Sequence, residues 1–201
     1  MLTYKMRYGD LYKTVKVSEN LIIKTLDCIN FSSLEDDTAK AQMYNNISEQ
    51  KKLKSRTKTI RNNKVTFINN QNILSQFLNL SKKVNQSTGW DFDIDAIEPL
   101  QYGEYHKGQE YGWHIDQHSI VHKDNRVRKI SFSIFLNEWF TGGEFDLEIY
   151  NANHDCRYET FSKLPTNTAL FFKSDYWHRV RPVSDGVRKS IVGWVLGPKM
   201  K

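Results

Sequence analysis

The sequence predicts an α+β chain: a double-stranded β-helix, or jelly roll, with helices flanking it on the N-terminal side. Two observations predict it. Apolar residues recur at helical spacing between 71 and 86, and after Gly89 the pattern changes to two-residue alternation. The alternating runs are short and close together, with turn residues between them, which is the signature of a sandwich or barrel. No repeat and no Pro/Gly/Ser-rich linker divides the 201 residues. The expectation is one domain over 1–201, with 1–90 as a support region and 91–201 as the jelly-roll core.

Taken in order, VKVSENLII reads as a strand. The segment SSLEDDTAKAQMYNNISEQKK reads as a helix with Ser32 or Ser33 as its N-cap. QNILSQFLNLSKKVNQ is a clearer helix: Ile73, Leu74, Phe77, Leu78 and Val84 share one face. FDIDAIEPLQY alternates. KISFSIFLN puts Ile130, Phe132, Ile134 and Leu136 on one face and Ser131, Ser133 and Asn137 on the other, with Phe135 as the exception. FTGGEFDLEIY begins at a turn where Gly142 and Gly143 suit a positive φ. TALFF, HRVRPV and RKSIVGWVL complete the strands.

Composition narrows the class. Ten Tyr, eleven Phe and five Trp carry too much burial-prone surface for a disordered chain. Cys28 and Cys156 form no CxxC pair, which argues against a zinc ribbon, a thioredoxin-like motif or a disulfide scaffold. No apolar leader and no run of about 18 apolar residues is present, so a cytoplasmic protein without a membrane partner is expected. The net charge of +6 arises in residues 1–64, with 13 basic and 7 acidic groups. Seven of those basic residues lie between Lys51 and Lys64 with no acid among them. This run is expected to be a solvated loop or lid edge rather than a nucleic-acid platform, because it lacks the interleaved aromatics that stack on bases.

The chemistry concentrates in YHKGQEYGWHIDQH. His114 and Asp116 are two apart, so on a strand an imidazole and a carboxylate project from the same face. His118 continues that face. His178 follows the apolar run TALFF and can complete a two-histidine, one-carboxylate set if its strand lies beside the earlier one. Ten residues on is Arg188, with Ser190 on the same strand face, expected beside the strand that begins at His178. A guanidinium fork suits a carboxylate. A metal site plus a separate carboxylate anchor matches a ligand with a chelating 2-oxo-acid end and a distant carboxylate. Trp194 reads as packing at the pocket floor and Tyr102 as a pocket wall.

These residues resemble a known family. YxxGxxYGxHxD is met by Tyr105, Gly108, Tyr111, Gly112, His114 and Asp116. SFSIFLNEWFTGGEF and HRVRPVSDGVRKS are similar to two further ordered motifs of the 2-oxoglutarate/Fe(II) dioxygenases of the prolyl 4-hydroxylase superfamily, and within them of the PKHD-type hydroxylases and their phage-borne relatives. The resemblance runs over roughly residues 95–198. It implies that His114, Asp116 and His178 ligate Fe(II), that Arg188 holds the far carboxylate of 2-oxoglutarate, that Ser190 and Tyr105 donate hydroxyl hydrogen bonds to that end, and that Tyr111 lines the pocket. Collagen-type members usually carry Lys where this chain has Arg188, whereas PKHD-type members carry Arg. The implied activity consumes O2 and 2-oxoglutarate, with ascorbate as reductant, to hydroxylate a C–H bond and release succinate and CO2. The implied partner is a peptidyl, prolyl-like substrate. A free amino acid or other small metabolite is the alternative, and a non-catalytic jelly-roll binding module the second. A nucleic-acid substrate would rest on the basic run alone.

Overall fold

A computed structural model of the protein describes residues 10–37, 61–117, 125–150 and 156–199. The chain opens with β1 (Tyr12–Lys16), α1 (Glu19–Leu26), a single 3-10 turn over Phe31–Ser33 and β2 (Glu35–Asp37). Next come β3 (Arg61–Ile68) and α2 (Gln71–Thr88). The strands that follow are β4 (Ala96–Ile97), β5 (Leu100–Tyr105), β6 (Glu110–His114), β7 (Arg126–Phe135), β8 (Phe140–Gly142), β9 (Phe145–Tyr150), β10 (Cys156–Phe161), β11 (Thr168–Lys173), β12 (His178–Val180), β13 (Val183–Gly186) and β14 (Arg188–Pro198).

Among the described residues, twelve strands form one antiparallel ladder in the order β1-β11-β7-β14-β5-β3-β6-β12-β9-β10, with β2 on β3 and β4 on β14, while β8 and β13 pair with each other apart from it. The ladder turns its corner inside β3. Lys64–Ile68 pair with β5, whereas Arg61 and Asn62 pair with β6. This folds the ladder into two facing sheets and encloses the second core, which includes Phe135, Phe145, Leu147 and Phe172. The first core lies on the helical side of the larger sheet. Ile73, Leu74, Phe77 and Val84 of α2 meet Ile130, Phe132 and Ile134 of β7 and Phe171 of β11.

The alternation of β7 therefore serves two cores. Ile130, Phe132 and Ile134 face the helices, while Ser131, Ser133 and Phe135 face the interior of the roll. Phe135 breaks the serine pattern because it packs in the inner core. β14 shows the same division: Ile191 and Val195 face the helices, while Arg188, Ser190, Val192 and Trp194 line the interior. Between them Gly193 leaves room for the Phe132 ring, which a Cβ there would approach to 2.2 Å. Gly142 and Gly143 adopt φ of 69° and 64° ahead of β9, as the turn requires. A Cβ on Gly143 would sit 3.1 Å from Cδ of Arg188, so this glycine also makes room for that side chain.

The α2 helix begins at Asn70, whose side chain accepts from the amides of Asn72 and Ile73, and ends at Gly89 in the left-handed region. Two N-terminal expectations are corrected. VKVSENLII is not one strand: Ser18 accepts from the Leu21 amide and starts α1 at Glu19. Glu35–Asp37 are not helical, because they pair with Val65, Lys64 and Asn63 of β3. Tertiary pairing overrides local propensity there. The remainder of that expected helix, from residue 38, lies outside the described residues. So do residues 51–60 of the basic run. Its last members, Arg61 and Lys64, are part of β3 and not of a loop.

Candidate active site

His114 ends β6 and His178 begins β12, and the two are direct partners in the ladder. Asp116 lies just past β6, where its amide and that of Gln117 both donate to the Ser174 carbonyl, at 3.0 and 2.8 Å. His114 Nε2 is 3.8 Å from Asp116 Oδ1, and His178 Nε2 is 3.4 Å from Asp116 Oδ2. All three ligand atoms lie within 4.8 Å of one another. Three donors each about 2.1 Å from one ion, at right angles, would be separated by about 3 Å. The observed set is close to that and slightly more open.

Hydrogen bonding prepares both rings. His114 Nδ1 is 2.8 Å from the Gly112 carbonyl and His178 Nδ1 is 2.9 Å from the Tyr176 carbonyl. A carbonyl only accepts, so each Nδ1 carries a proton, and Nε2 is the atom that each ring turns toward Asp116. Burial and the neighbouring His178 push the His114 pKa down to about 3, so this imidazole is neutral near pH 7. Burial pushes Asp116 upward, but His178, His114 and a hydrogen bond from Ser131 outweigh it and hold the carboxyl below its usual value. A neutral His114 imidazole and an ionised Asp116 carboxylate match the protonation state that a divalent metal needs. The Tyr111 ring stacks on His114 at 3.5 Å between centroids, and the Arg61 guanidinium lies over Tyr111 at 4.8 Å.

Arg188 faces the same cavity. It does not lie beside the strand of His178, as the spacing suggested: β14 pairs with β5 and β7, while β12 pairs with β6 and β9. Arg188 thus approaches from the opposite sheet. It is 1% exposed, and burial lowers its pKa, with Tyr105 opposing the shift. An arginine nevertheless stays charged, since its intrinsic pKa exceeds about 12. Nη1 donates to Ser190 Oγ at 3.1 Å, whereas Nε and Nη2 have no partner among the described residues. The guanidinium also lies over the rings of Phe135, at 5.0 Å, and Tyr105, at 5.5 Å. A buried charge with two unmet donors is costly unless an anion joins it. The residues present therefore fit a metal at one end and a carboxylate at the other.

Tyr105 and Ser190 also line this cavity. Ser190 accepts from Arg188 and so fixes the fork. Tyr102 is not a pocket wall: it faces the helical core, and its hydroxyl donates to Glu104 at 2.7 Å. His118 lies outside the described residues. Arg61, Gln101 and Trp194 are lining residues whose polar groups the sequence reading left without a role. The available signal for Gln101 was its place two residues before Gly103 and four before Tyr105, on the same face of β5 as that tyrosine.

A jelly roll holding two histidines and one carboxylate, with a buried carboxylate-seeking arginine facing them, is the arrangement that non-haem iron oxygenases using a 2-oxo acid employ. Comparison with known proteins agrees. The family model of the 2OG-Fe(II) oxygenase superfamily matches residues 100–196. A PKHD-type hydroxylase of Rippkaea orientalis is 31% identical over 101 residues, which are 49% of this chain and 43% of that protein. One of Hyphomonas neptunium is 37% identical over 92 residues, 44% of this chain and 38% of its own. The matched stretch thus spans less than half the length of these curated relatives. Among solved structures, a prolyl-4-hydroxylase of Pseudomonas putida superposes with a TM-score of 0.58 at 18% identity, covering 94% of each chain. A prolyl hydroxylase from Trichoplax adhaerens, in complex with a hypoxia inducible factor oxygen degradation domain peptide fragment, gives 0.62 at 18% identity over 92% of this chain and 83% of that one. At these identities the structures show the fold. Residues 100–196 thus match the 2OG-Fe(II) oxygenase superfamily, and the fold is prolyl 4-hydroxylase-like.

Proposed function

We propose that this protein is an Fe(II)- and 2-oxoglutarate-dependent hydroxylase acting on a peptidyl, prolyl-like residue. The observation that carries the reading is the buried, half-unpartnered Arg188 guanidinium in the same cavity as His114, Asp116 and His178. The prolyl hydroxylases named above share its fold and support the choice of a peptide substrate.

In this reading His114, Asp116 and His178 hold iron through Nε2, a carboxylate oxygen and Nε2. Bound Fe(II) and 2-oxoglutarate supply O2 activation coupled to decarboxylation, so that R–H, O2 and 2-oxoglutarate become R–OH, succinate and CO2. The chain itself orients and encloses. Ser190 fixes the Arg188 fork for the far carboxylate, and Arg188 neutralises that charge away from water. Tyr105 is kept protonated by burial, against the pull of Arg61 and Arg188, and can donate to the same carboxylate. Tyr111 holds the His114 ring flat, while the two carbonyl contacts prevent either imidazole from turning.

The test is succinate release with Fe(II), 2-oxoglutarate, O2 and ascorbate, with and without proline-containing peptides, followed by mass analysis. A gain of 16 Da on a peptide, lost in Asp116→Ala with the circular dichroism spectrum unchanged, is expected. Wild-type turnover in Asp116→Ala would remove the metal assignment. Hydroxylation of free amino acids in place of every peptide would remove the peptidyl substrate.

A further inference from the structure

Among the described residues, the buried polar atoms without a hydrogen-bond partner that line this cavity are Arg188 Nε, Arg188 Nη2, Gln101 Nε2 and Trp194 Nε1. All four are donors. At two places in the cavity these donors therefore have no acceptor among the described residues. One is the Arg188–Ser190 rung. The other lies further along the sheet, where Gln101 pairs through the backbone with Val192, and Trp194 with Ser131.

From Ser190 to Val192 is two residues of strand, or roughly 7 Å. That step runs toward the metal ligands, because Ser131, beside Trp194, hydrogen-bonds Asp116. The Trp194 indole does not turn freely. Arg128 stacks over it at 4.1 Å and is itself held by both oxygens of Glu98, at 2.7 and 2.6 Å. Gln101 is 3% exposed and Trp194 is 8% exposed, so water does not readily meet either demand.

We infer that Gln101 Nε2 and Trp194 Nε1 form a second carboxylate cradle, at the metal end of the cavity, for the 1-carboxylate of 2-oxoglutarate. This rests on the function proposed above. With the 2-oxo-acid end held at the site of His114, Asp116 and His178, the free oxygen of that carboxylate would turn toward the two donors. The dicarboxylate is then gripped at both ends by protein groups, and its chelating end has one preferred orientation. An apolar residue at 101 would leave that oxygen with the Trp194 donor alone.

The experiment is calorimetric titration under nitrogen with Fe(II) saturating, using 2-oxoglutarate and oxalate as separate probes. Oxalate reaches the metal end but not Arg188. Gln101→Leu should weaken both probes by about tenfold, the loss of one hydrogen bond to a charged group. Gln101→Glu, which places a second anion there, should weaken both further. Arg188→Ala should weaken 2-oxoglutarate and leave oxalate unchanged. Without metal or ligand, Gln101→Leu should melt no lower than wild type, because it removes a buried donor that had no partner. Unchanged oxalate affinity in Gln101→Leu overturns the cradle and leaves the proposed function standing. Failure of the wild-type protein to bind 2-oxoglutarate at all overturns both.

Discussion

Arg188 is the residue on which the site can be tested most directly. Truncating one member of a buried ion pair costs about 3–5 kcal/mol. Arg188→Ala is therefore expected to weaken 2-oxoglutarate binding by that amount, measured as the apparent affinity with Fe(II) saturating. Arg188→Lys keeps the charge but loses the fork and should be milder. Affinity unchanged in Arg188→Ala would place the anchor elsewhere. The outline of this site was legible in the sequence because strand periodicity is strict: a spacing of two puts His114 and Asp116 on one face, and the same rule joins Arg188 to Ser190. What the spacing did not carry was the opposition of β12 and β14, since periodicity gives the face of a strand and not its neighbours. Gln101 was illegible for a related reason. Its significance is an unmet hydrogen bond, which exists only once the cavity around it is closed.

At the scale of elements, the smaller sheet is fastened by Asp146 of β9. Its fully buried carboxylate accepts from Arg179 at 2.6 Å, from Arg181 at 2.8 Å and from Thr160 at 2.8 Å, joining β9, β10 and the β12 region that carries His178. Burial pushes this carboxyl upward, but Arg181, Arg179 and Thr160 hold it below its usual value. A carboxyl with a depressed folded pKa stabilises above its unfolded pKa, about 3.9, and loses that contribution as pH falls through the folded value. Asp146→Ala should cost about 2 kcal/mol, a modest figure because both arginines remain partly solvated. The check is urea unfolding at pH 7 and again at pH 3, where the difference between variant and wild type should shrink. The N-terminal elements show why local sequence was insufficient. Glu35–Asp37 carry no apolar pattern at all, and their strand exists because β3 offers an edge and Arg61 pairs with Asp37 at 2.9 Å. Among the described residues, no helix is long and apolar enough to cross a membrane.

At the scale of the whole molecule, the resemblance and the fold have different boundaries. The family match begins at residue 100, yet α2 and β3 cover and complete the roll around it. A chain truncated to residues 95–201 should expose the face carrying Ile130, Phe132 and Ile134. It is expected to lose cooperative thermal unfolding, which differential scanning calorimetry would reveal. A sharp transition in that fragment would show that the helical layer is dispensable.

The corner inside β3 has a consequence for anyone exchanging parts between relatives. One strand supplies hydrogen bonds to both sheets, and its first residue reaches Tyr111 next to His114. A chimera spliced where sequence similarity begins would graft a metal site onto a foreign hinge strand. The natural crossover lies upstream of Arg61, so that the strand travels with the pocket it closes.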